Sequence, residues 1–372
     1  MDKVLITGGA GFVGTNLADR LMRAGARVTV FDNLARRGTE RNLEWLRQQH
    51  GSRLRFVRGD VRDAADVAAA VRDCDTIFHF AAQVAVTTSL TDPRHDFEVN
   101  ALGTLNVLEA ARQAQRPPAI LFTSTNKVYG GLEGVPLLEQ PRRWAFADRS
   151  AVDENQILDF HSPYGCSKGT ADQYVRDYAR IYGLKTVVFR MSCIYGPRQF
   201  GNEDQGWVAH FLISAARDRP ITIYGDGKQV RDILFVEDLV DAFLAARERI
   251  DDVAGEVLNI GGGPENTLAI WTEFAPLIRR LTGRLPGVDR GAMRPGDQPI
   301  YVSDIRKAEA RLGWKPRVGV IAGCGRLYNW IMSNSDLFGL AVPASPGRAA
   351  RAAATVGAEA FDHYAAKPAT AG

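Results

Sequence analysis

Tyr164 and Lys168 stand four residues apart in the stretch HSPYGCSKG (161–169), where an amphipathic helix is predicted to begin. Residues at this spacing share one face of a helix, so the phenol and the ammonium group are neighbours. A free tyrosine has a pKa of ~10, too high for a base at neutral pH, and a fixed positive charge beside the phenol favours the phenolate. The pair therefore predicts proton transfer, and the alternative is a chance pair on the surface of the helix.

A glycine-rich turn near the start of the sequence predicts a phosphate-binding site. Gly8, Gly11 and Gly14 lie between the apolar run VLIT (4–7) and the helical stretch NLADRLM (16–22). Glycine allows a tight turn and a close approach of the backbone to a pyrophosphate, and the helix N-terminus supplies N–H groups and a partial positive charge. Because the turn joins a strand to a helix, dinucleotide binding is a better interpretation than a turn without a ligand.

An acidic residue at the end of the second predicted strand indicates which dinucleotide binds. Asp32 lies 18 residues after Gly14, where a carboxylate accepts hydrogen bonds from the adenosine ribose and repels a 2′-phosphate, so NAD is favoured over NADP. Arg36 and Arg37 weaken this preference, because arginine suits a 2′-phosphate. Asp60 and Val61, after the next strand, are expected to meet the adenine ring. The predicted cofactor contacts are Gly8, Gly11, Phe12, Val13, Gly14, Asp32, Asn33, Arg36, Asp60, Val61, Ala81, Gln83 and Lys168.

Short apolar runs alternate with amphipathic stretches through the first half of the chain, and this alternation predicts the scaffold that positions these residues. It is typical of a parallel sheet covered by helices on both faces. The predicted fold class is therefore α/β, a Rossmann-type doubly wound parallel sheet with a smaller α/β substrate-binding domain. The predicted strands are 4–7, 27–32, 54–60, 76–82, 119–125 and 185–191, and 92–114 is among the predicted helices.

After about residue 190 glycine, proline and arginine become frequent, which indicates a second domain. We expect an NAD-binding domain over 1–190, with segments near 235–262 returning to it, and a substrate domain over 191–335. The stretch 340–372 is rich in Ala, Gly and Pro and predicts a flexible tail, with a short Ala-rich helix as the alternative.

The composition describes an ordinary globular protein and excludes several functions. Of 372 residues 45% are hydrophobic and 24% charged, and the net charge is +3 with no basic stripe, so nucleic acid is not an expected partner. Four separated cysteines and six histidines lack the spacing of disulfide frameworks or metal ligands, so no metal is predicted. No apolar run reaches the ~18 residues of a membrane span. Since the chain opens directly on a core strand, we expect a cytoplasmic location.

The order of these motifs resembles the extended short-chain dehydrogenase/reductase family. YxxxK follows a nucleotide-binding half, and a Ser/Thr-rich strand end, FTST (122–125), precedes it. The resemblance implies that Tyr164 is the acid/base, that Lys168 holds the nicotinamide ribose and that Thr125 hydrogen-bonds the reacting sugar oxygen.

The two residues after Thr125 narrow the implied reaction. Sugar-nucleotide 4,6-dehydratases of this family carry an acidic pair there, whereas this chain has Asn126 and Lys127. The glutamate of related decarboxylases is also missing from this stretch. The resemblance therefore leaves oxidation and reduction at one carbon, by an epimerase or a simple dehydrogenase.

The second half of the chain predicts a nucleotide-sugar substrate. Arg231 in QVRDILFVEDL and Arg294 in MRPGDQ match family positions that contact the substrate pyrophosphate, and an arginine fork suits a diphosphate. For either arginine alone, a solvated surface position is an equal alternative. Arg198 in YGPRQF is a weaker candidate of the same kind, and Asn126 is the fourth predicted substrate contact.

In more detail the chain resembles the subgroup of CDP-paratose 2-epimerases. The stretches VFDNLARRGT, TSTNKVYG and LDFHSPYGCSKG carry this resemblance, and Cys193 stands where many nucleotide-sugar enzymes have asparagine. The implied reaction is transient oxidation at C2 of a CDP-linked hexose, rotation of the 2-keto sugar and re-reduction, with NAD regenerated at each turnover.

Three alternatives remain open from the sequence. The same chemistry at C4, as in a UDP-galactose-type 4-epimerase, shares the catalytic groups. Interconversion of GDP-mannose and GDP-glucose keeps C2 but changes the nucleotide. An NAD-binding module without turnover is the third alternative. The family also implies a homo-oligomer, a dimer or tetramer, that pairs through the helices at 94–114 and 165–182.

Overall fold

The computed structural model describes residues 2–294 and 296–340, so the predicted tail lies outside the described residues except for residue 340. The strands are β1 (Lys3–Thr7), β2 (Arg27–Asp32), β3 (Leu54–Arg58), β4 (Thr76–His79), β5 (Ala119–Thr125), β6 (Leu137–Glu139), β7 (Trp144–Phe146), β8 (Thr186–Met191), β9 (Cys193–Tyr195), β10 (Ile221–Tyr224), β11 (Val230–Phe235), β12 (Val257–Ile260), β13 (Thr267–Ala269), β14 (Val288–Gly291) and β15 (Ile300–Tyr301). The helices are α1 (Phe12–Arg23), α2 (Thr39–His50), α3 (Ala64–Val71), α4 (Val86–Thr91), α5 (Pro93–Phe97), α6 (Gly103–Gln113), α7 (Ser162–Tyr182), α8 (Trp207–Ala216), α9 (Val236–Glu248), α10 (Ile250–Val253), α11 (Phe274–Thr282), α12 (Arg306–Leu312) and α13 (Val320–Ser333).

A seven-stranded parallel sheet forms the centre of the molecule, in the order β3-β2-β1-β4-β5-β8-β12. The strand order reverses between β1 and β4, and ligands of doubly wound sheets bind in the crevice at this point, beyond the carboxyl ends of the strands. The predicted fold class is confirmed. Two predicted strands end earlier than expected, at Arg58 and His79, because the chain there leaves the sheet to line that crevice.

Apolar side chains cover both faces of the sheet, as its buried strands require. One face packs against α1, α2 and α9 through residues such as Leu17, Leu46 and Phe243. The other packs against α3, α6 and α7 through residues such as Val67 and Val107. Each helix has an apolar stripe that only such a sheet can bury, which explains why the helices form here.

The second half of the chain adds smaller sheets and a separate apolar core. β11 pairs with β13 and β15 at its start and with β9 at its end, and β10 pairs with β14. The helices α8, α11 and α13 pack around these strands. Two elements of this half belong with the large sheet: α9 packs on it, and β12 extends it by pairing with β8. The domain boundaries at 1–190 and 191–335, with a return near 235–262, stay predictions.

The predicted helix over 92–114 is interrupted. A π-helical turn, Glu98–Leu102, separates α5 from α6. Such turns are rare and are frequent at functional sites. Asn100 on this turn is buried. Gly103, which follows the turn, lies so close to Val61 that a Cβ atom on Gly103 would be 2.7 Å from the Cγ2 atom of Val61. In the described residues, no helix is long and apolar enough to cross a membrane.

Candidate active site

The glycine turn after β1 has a geometry that only glycine tolerates. Gly8 has a φ of +66°, and a Cβ atom on it would lie 2.7 Å from the amide nitrogen of Ala81. A Cβ atom on Gly14 would lie 2.5 Å from the carbonyl oxygen of Gly8. α1 starts at Phe12 with Gly11 as its N-cap, no side chain caps it, and no acidic residue lies in its first turn. The bare backbone and open helix terminus fit the pyrophosphate of NAD, with Phe12 and Val13 in the first helical turn.

Asp32 lies where the sequence predicts it, at the carboxyl end of β2. Its Oδ2 atom accepts a hydrogen bond from the amide of Ala10 (3.0 Å) and its Oδ1 atom one from the amide of Leu34 (2.8 Å). Burial raises the pKa of the carboxyl group, and these two amides oppose the rise. Asp32 therefore ties the glycine turn to β2, and its remaining lone pairs suit ribose hydroxyls.

The predicted adenine contacts lie at the carboxyl end of β3. Val61 is buried, and Asp60 accepts hydrogen bonds from Asn33 (3.0 Å) and from the Nη2 atom of Arg62 (2.9 Å). The hydrogen bond from Arg62 is the main reason that the pKa of Asp60 is held far below its usual range. Sequence analysis missed Arg62, although its position two residues after Asp60 is a usable signal.

Arg36 does not turn towards Asp32. Its Nη2 atom donates to the Oε1 atom of Gln205 (3.3 Å), and its positive charge lies close enough to Tyr164 to lower the pKa of that phenol. The structure thus brings the charge of Arg36 near Tyr164, a proximity that no local pattern in the sequence indicated.

Tyr164, Lys168 and Thr125 come together at the junction of α7 and β5. The residue that starts α7, Ser162, has a φ of +65°, a strained conformation for a side-chain-bearing residue. Its Oγ atom accepts a hydrogen bond from the amide of Gly165 (3.2 Å), which stabilises the turn that presents Tyr164. Burial raises the pKa of Tyr164 to about 12, and a hydrogen bond with Thr125 opposes this rise.

Lys168 is buried against β5. Its Nζ atom donates to the carbonyl oxygen of Thr123 (2.6 Å) and lies 4.3 Å from the ring centroid of Phe122. Burial lowers the pKa of Lys168 to about 7, and Asp172 and Asp96 oppose the change. Thr125 and Arg36 oppose the rise in the pKa of Tyr164, and the lowering of that pKa by Lys168 together with oxidised nicotinamide stays a prediction.

The residues after Thr125 connect the catalytic strand to the second half of the chain. Asn126 donates from Nδ2 to the Oε1 atom of Gln298 (3.2 Å). Lys127 donates from Nζ to the carbonyl oxygen of Gly296 (3.2 Å) and lies 3.6 Å from the Oδ1 atom of Asp297. The unusual Asn–Lys pair therefore anchors the segment 296–298.

Arg231 converges on the same segment. Its Nη2 atom donates to Asp297 and to the carbonyl oxygen of Gln298, both at 2.6 Å. Burial opposes ionisation of Asp297, but the positive charges of Arg231 and Lys127 lower its pKa overall. Two cations thus share one carboxylate at this point, which leaves positive charge for an anionic substrate.

The other two predicted substrate arginines lie elsewhere. Arg294 lies over the ring of Tyr224, with its Cζ atom 3.9 Å from the centroid, and donates to the carbonyl oxygen of Glu203 (3.2 Å). The Cζ atom of Arg198 lies 3.7 Å from the ring centroid of Trp45 and 5.6 Å from that of Trp330. The structure does not bring Arg198 to the catalytic group, because stacking between two tryptophans holds its guanidinium group.

Ala81 and Gln83 line the crevice after β4. The amide of Ala81 donates to the Oγ1 atom of Thr7 (3.2 Å), and Gln83 donates from Nε2 to the Oδ1 atom of Asp96 (2.8 Å). Asp96 and Asn100 were missed by sequence analysis, although their i, i+4 spacing in DFEVN was a signal.

The doubly wound fold, the glycine turn and the Tyr164–Lys168 pair together indicate one family of proteins. Residues 4–261 match the family model described as "NAD dependent epimerase/dehydratase family". The chain belongs to this family, which confirms the predicted resemblance and the predicted cofactor, NAD.

Individual relatives narrow the comparison. The chain is 44% identical over 345 residues to the CDP-paratose 2-epimerase of Salmonella typhi, with 89% of this chain and 99% of the relative covered. It is 32% identical to the putative UDP-glucose 4-epimerase of Methanocaldococcus jannaschii, with 89% of this chain and 99% of the relative covered. Among solved structures, the UDP-glucuronic acid 4-epimerase of Bacillus cereus in complex with UDP-glucuronic acid and NAD superposes with a TM-score of 0.77 at 28% identity, covering 89% of this chain and 99% of that one.

Proposed function

We propose that this protein is an NAD-dependent epimerase that inverts C2 of a nucleotide-activated hexose and converts CDP-paratose to CDP-tyvelose. The observation that carries the proposal is the end of β5, where Asn126 and Lys127 take the place of a dehydratase's acidic pair and bind the segment 296–298. Identity of 44% to a CDP-paratose 2-epimerase over nearly the whole relative supports the choice of sugar and nucleotide.

Tyr164 takes the proton of the C2 hydroxyl group and later returns it, while Thr125 donates a hydrogen bond to the same oxygen. NAD, when bound, would supply the hydride acceptor and donor that oxidation and re-reduction at C2 require. Lys168 holds the nicotinamide ribose. Burial raises the pKa of Tyr164 to about 12, and Thr125 and Arg36 oppose the rise, so these two groups favour the phenolate that accepts the proton.

The second half of the chain binds the nucleotide diphosphate. Arg231 and Lys127 lie beside Asn126 with a shared carboxylate between them, and Arg294, which lies apart from them over Tyr224, is the third proposed contact. Arg294 must exchange its contact with Glu203 for the diphosphate, an exchange that its half-exposed position permits. Arg198 is not part of the proposed substrate site, because its guanidinium group lies 3.7 Å from the ring centroid of Trp45 and 5.6 Å from that of Trp330.

Epimerisation at C4 of a UDP-sugar is the second candidate function, because relatives named as UDP-glucose 4-epimerases match 89–90% of the chain. The test uses purified protein without added NAD, incubated separately with CDP-paratose, UDP-galactose and GDP-mannose, and NMR of the products. Inversion at C2 of CDP-paratose is the expected result. Inversion of UDP-galactose at C4, with CDP-paratose unchanged, contradicts the proposal. A Tyr164→Phe sample is the control for contaminating activity.

We also propose that two copies of the chain pair through α6 and α7. Exposed apolar side chains gather on and before these helices: Phe97, Leu102, Tyr174, Ile181 and Tyr182. Such a patch marks an interaction surface. Light scattering of wild type and of Ile181→Lys tests this, because the wild type is expected at twice the monomer mass and the variant at a lower one. The cytoplasmic location stays a prediction.

A further inference from the structure

Asp96 is a buried carboxylate that the catalytic mechanism above does not use. Its side chain lies at the end of α5 and is fully buried. Its Oδ2 atom accepts a hydrogen bond from the Oγ atom of Ser167 (2.5 Å), and its Oδ1 atom accepts from the side-chain amides of Gln83 (2.8 Å) and Asn100 (3.2 Å). All three donors are neutral. A buried charge is costly unless an opposite charge compensates it.

The second buried carboxylate near Lys168 has a different partner. Asp172 accepts two hydrogen bonds from Arg190, from Nε and from Nη2, both at 2.9 Å. This bidentate pair neutralises Asp172 within the core. Asp172 and Asp96 both act on Lys168, and of the two only Asp96 has no arginine partner. Ser167, which binds Asp96, directly precedes Lys168 in α7.

The charged and titratable groups around this position come from several elements. Two charged groups face Tyr164: Asp96, which lies on α5, and Arg36, which lies in the loop after β2. Asp96 faces Lys168 and His95, and burial raises its pKa against their influence. His79 on β4 also faces Lys168, and burial lowers its pKa to about 3, so it is neutral near pH 7. Asp96 is thus the carboxylate shared by Tyr164 and Lys168 that no arginine neutralises.

We propose that Asp96 is a positioning residue of the active site. Through Ser167 it fixes the first turn of α7, and its negative charge compensates Lys168 and the positive charge of oxidised nicotinamide, so that the site prefers NAD⁺ to NADH. An epimerase of this kind must begin each turnover with oxidised cofactor, so a bias towards NAD⁺ keeps the resting protein competent. The inference rests on the proposed roles of Tyr164 and Lys168.

The test is the ratio of dissociation constants for NAD⁺ and NADH, measured by titration calorimetry on cofactor-stripped protein. Asp96→Asn keeps the size of the side chain and one acceptor but removes the charge. We expect this ratio to shift by about tenfold in favour of NADH, the effect of one unit charge on another roughly 12 Å away at an effective dielectric constant of about 20. The ratio needs no substrate, so it is informative even if the protein turns over a different sugar or none.

Two control variants separate charge from structure. Ser167→Ala keeps the charge and removes the 2.5 Å hydrogen bond. Glu98→Gln removes a neighbouring carboxylate that contacts Arg62 (3.7 Å) and Arg94 (3.8 Å) near the surface. Neither variant should change the ratio by as much as twofold. An unchanged ratio in Asp96→Asn, or an equal change in Ser167→Ala, would overturn the proposal.

A third variant decides the question if Asp96→Asn fails to fold. Lys168→Met leaves the charge of Asp96 without its counter-charge, so the ratio should move in the opposite direction, towards NAD⁺, although both affinities fall. A shift towards NADH in Lys168→Met would contradict the proposed electrostatic role.

Discussion

The candidate active site has two walls that are held by different kinds of contact. The catalytic wall is formed by β5 and α7, which carry Thr125, Tyr164 and Lys168, and the substrate wall by α4 and the segments of the second half of the chain that meet Asn126 and Lys127. On the catalytic wall, Asp172 of α7 binds both Ser124 of β5 (2.7 Å) and Arg190 of β8 (2.9 Å), and all three side chains are buried. On the substrate wall, an exposed pair joins Thr87 of α4 to Asp204 (2.9 Å), while Asn126 and Arg231 bind Gln298 from buried positions. The proposed reacting groups thus lie on a core network alone, whereas the proposed substrate contacts combine buried hydrogen bonds with exposed pairs that can exchange partners.

This difference explains how one scaffold serves several reactions. The relatives bear the names of epimerases and dehydratases acting on different nucleotide sugars, yet they match the same length of this chain. Buried networks tolerate little change, while solvated ion pairs contribute little stability and are easily replaced. Substitutions on the two walls should therefore have effects of different kind and size.

The largest effect is expected at the reacting group itself. Tyr164→Phe removes the proton acceptor but keeps the packing of a buried ring, so turnover should fall by about 10² to 10⁴-fold. Binding of NAD and the melting temperature should stay near the wild-type values. A comparable fall in NAD affinity would place Tyr164 in cofactor binding rather than in proton transfer.

The next largest effect is expected in the network beneath the catalytic wall. Asp172→Asn leaves Arg190 as a buried, incompletely paired charge, and breaking such a pair costs about 3–5 kcal/mol. Denaturant unfolding followed by circular dichroism measures this loss. The exposed carboxylate of Glu44, which lies 3.9 Å from Arg41, offers a control, because Glu44→Gln should cost under ~1 kcal/mol. Equal losses in the two variants would contradict the distinction between the walls.

A pH effect follows from the buried lysine of the catalytic wall. Folding lowers the pKa of Lys168 to about 7, below the ~10.4 of an unfolded lysine. The folded state thus binds this proton less tightly, so the destabilisation is complete below pH 7 and disappears as pH rises towards ~10.4. The unfolding free energy of wild type relative to Lys168→Met should therefore rise between these limits. A constant difference would show that Lys168 keeps an ordinary pKa.

The smallest effect is expected on the substrate wall. Lys127→Met removes one charge-assisted hydrogen bond, to Gly296, and one ion pair, with Asp297. We expect KM for the nucleotide sugar to rise about tenfold with little change in kcat, because a charge-assisted hydrogen bond from Lys127 to the substrate diphosphate would contribute ~1.5 kcal/mol. Lys307→Met is the matched control, because Lys307 forms a similar pair with Glu256 (2.7 Å) away from the site. A fall in kcat with unchanged KM would assign Lys127 to the chemical step.

The sequence predicts the catalytic wall better than the substrate wall, for physical reasons. Apolar runs identify the strands because buried parallel strands require them, and the glycine turn has a fixed geometry. The destination of Arg198 could not be predicted, because its partners Trp45 and Trp330 are distant in sequence. Asp96 was missed because its role depends on a π-helical turn, which has no simple sequence period.

The most direct test of the proposed mechanism is the fate of a deuterium atom at C2 of CDP-paratose, followed by NMR in ordinary water with no added NAD. Transient oxidation at C2 with return of the same hydride predicts CDP-tyvelose that retains the deuterium at C2. Loss of the deuterium to solvent would indicate proton abstraction instead of hydride transfer, and would contradict the roles given to Tyr164 and NAD.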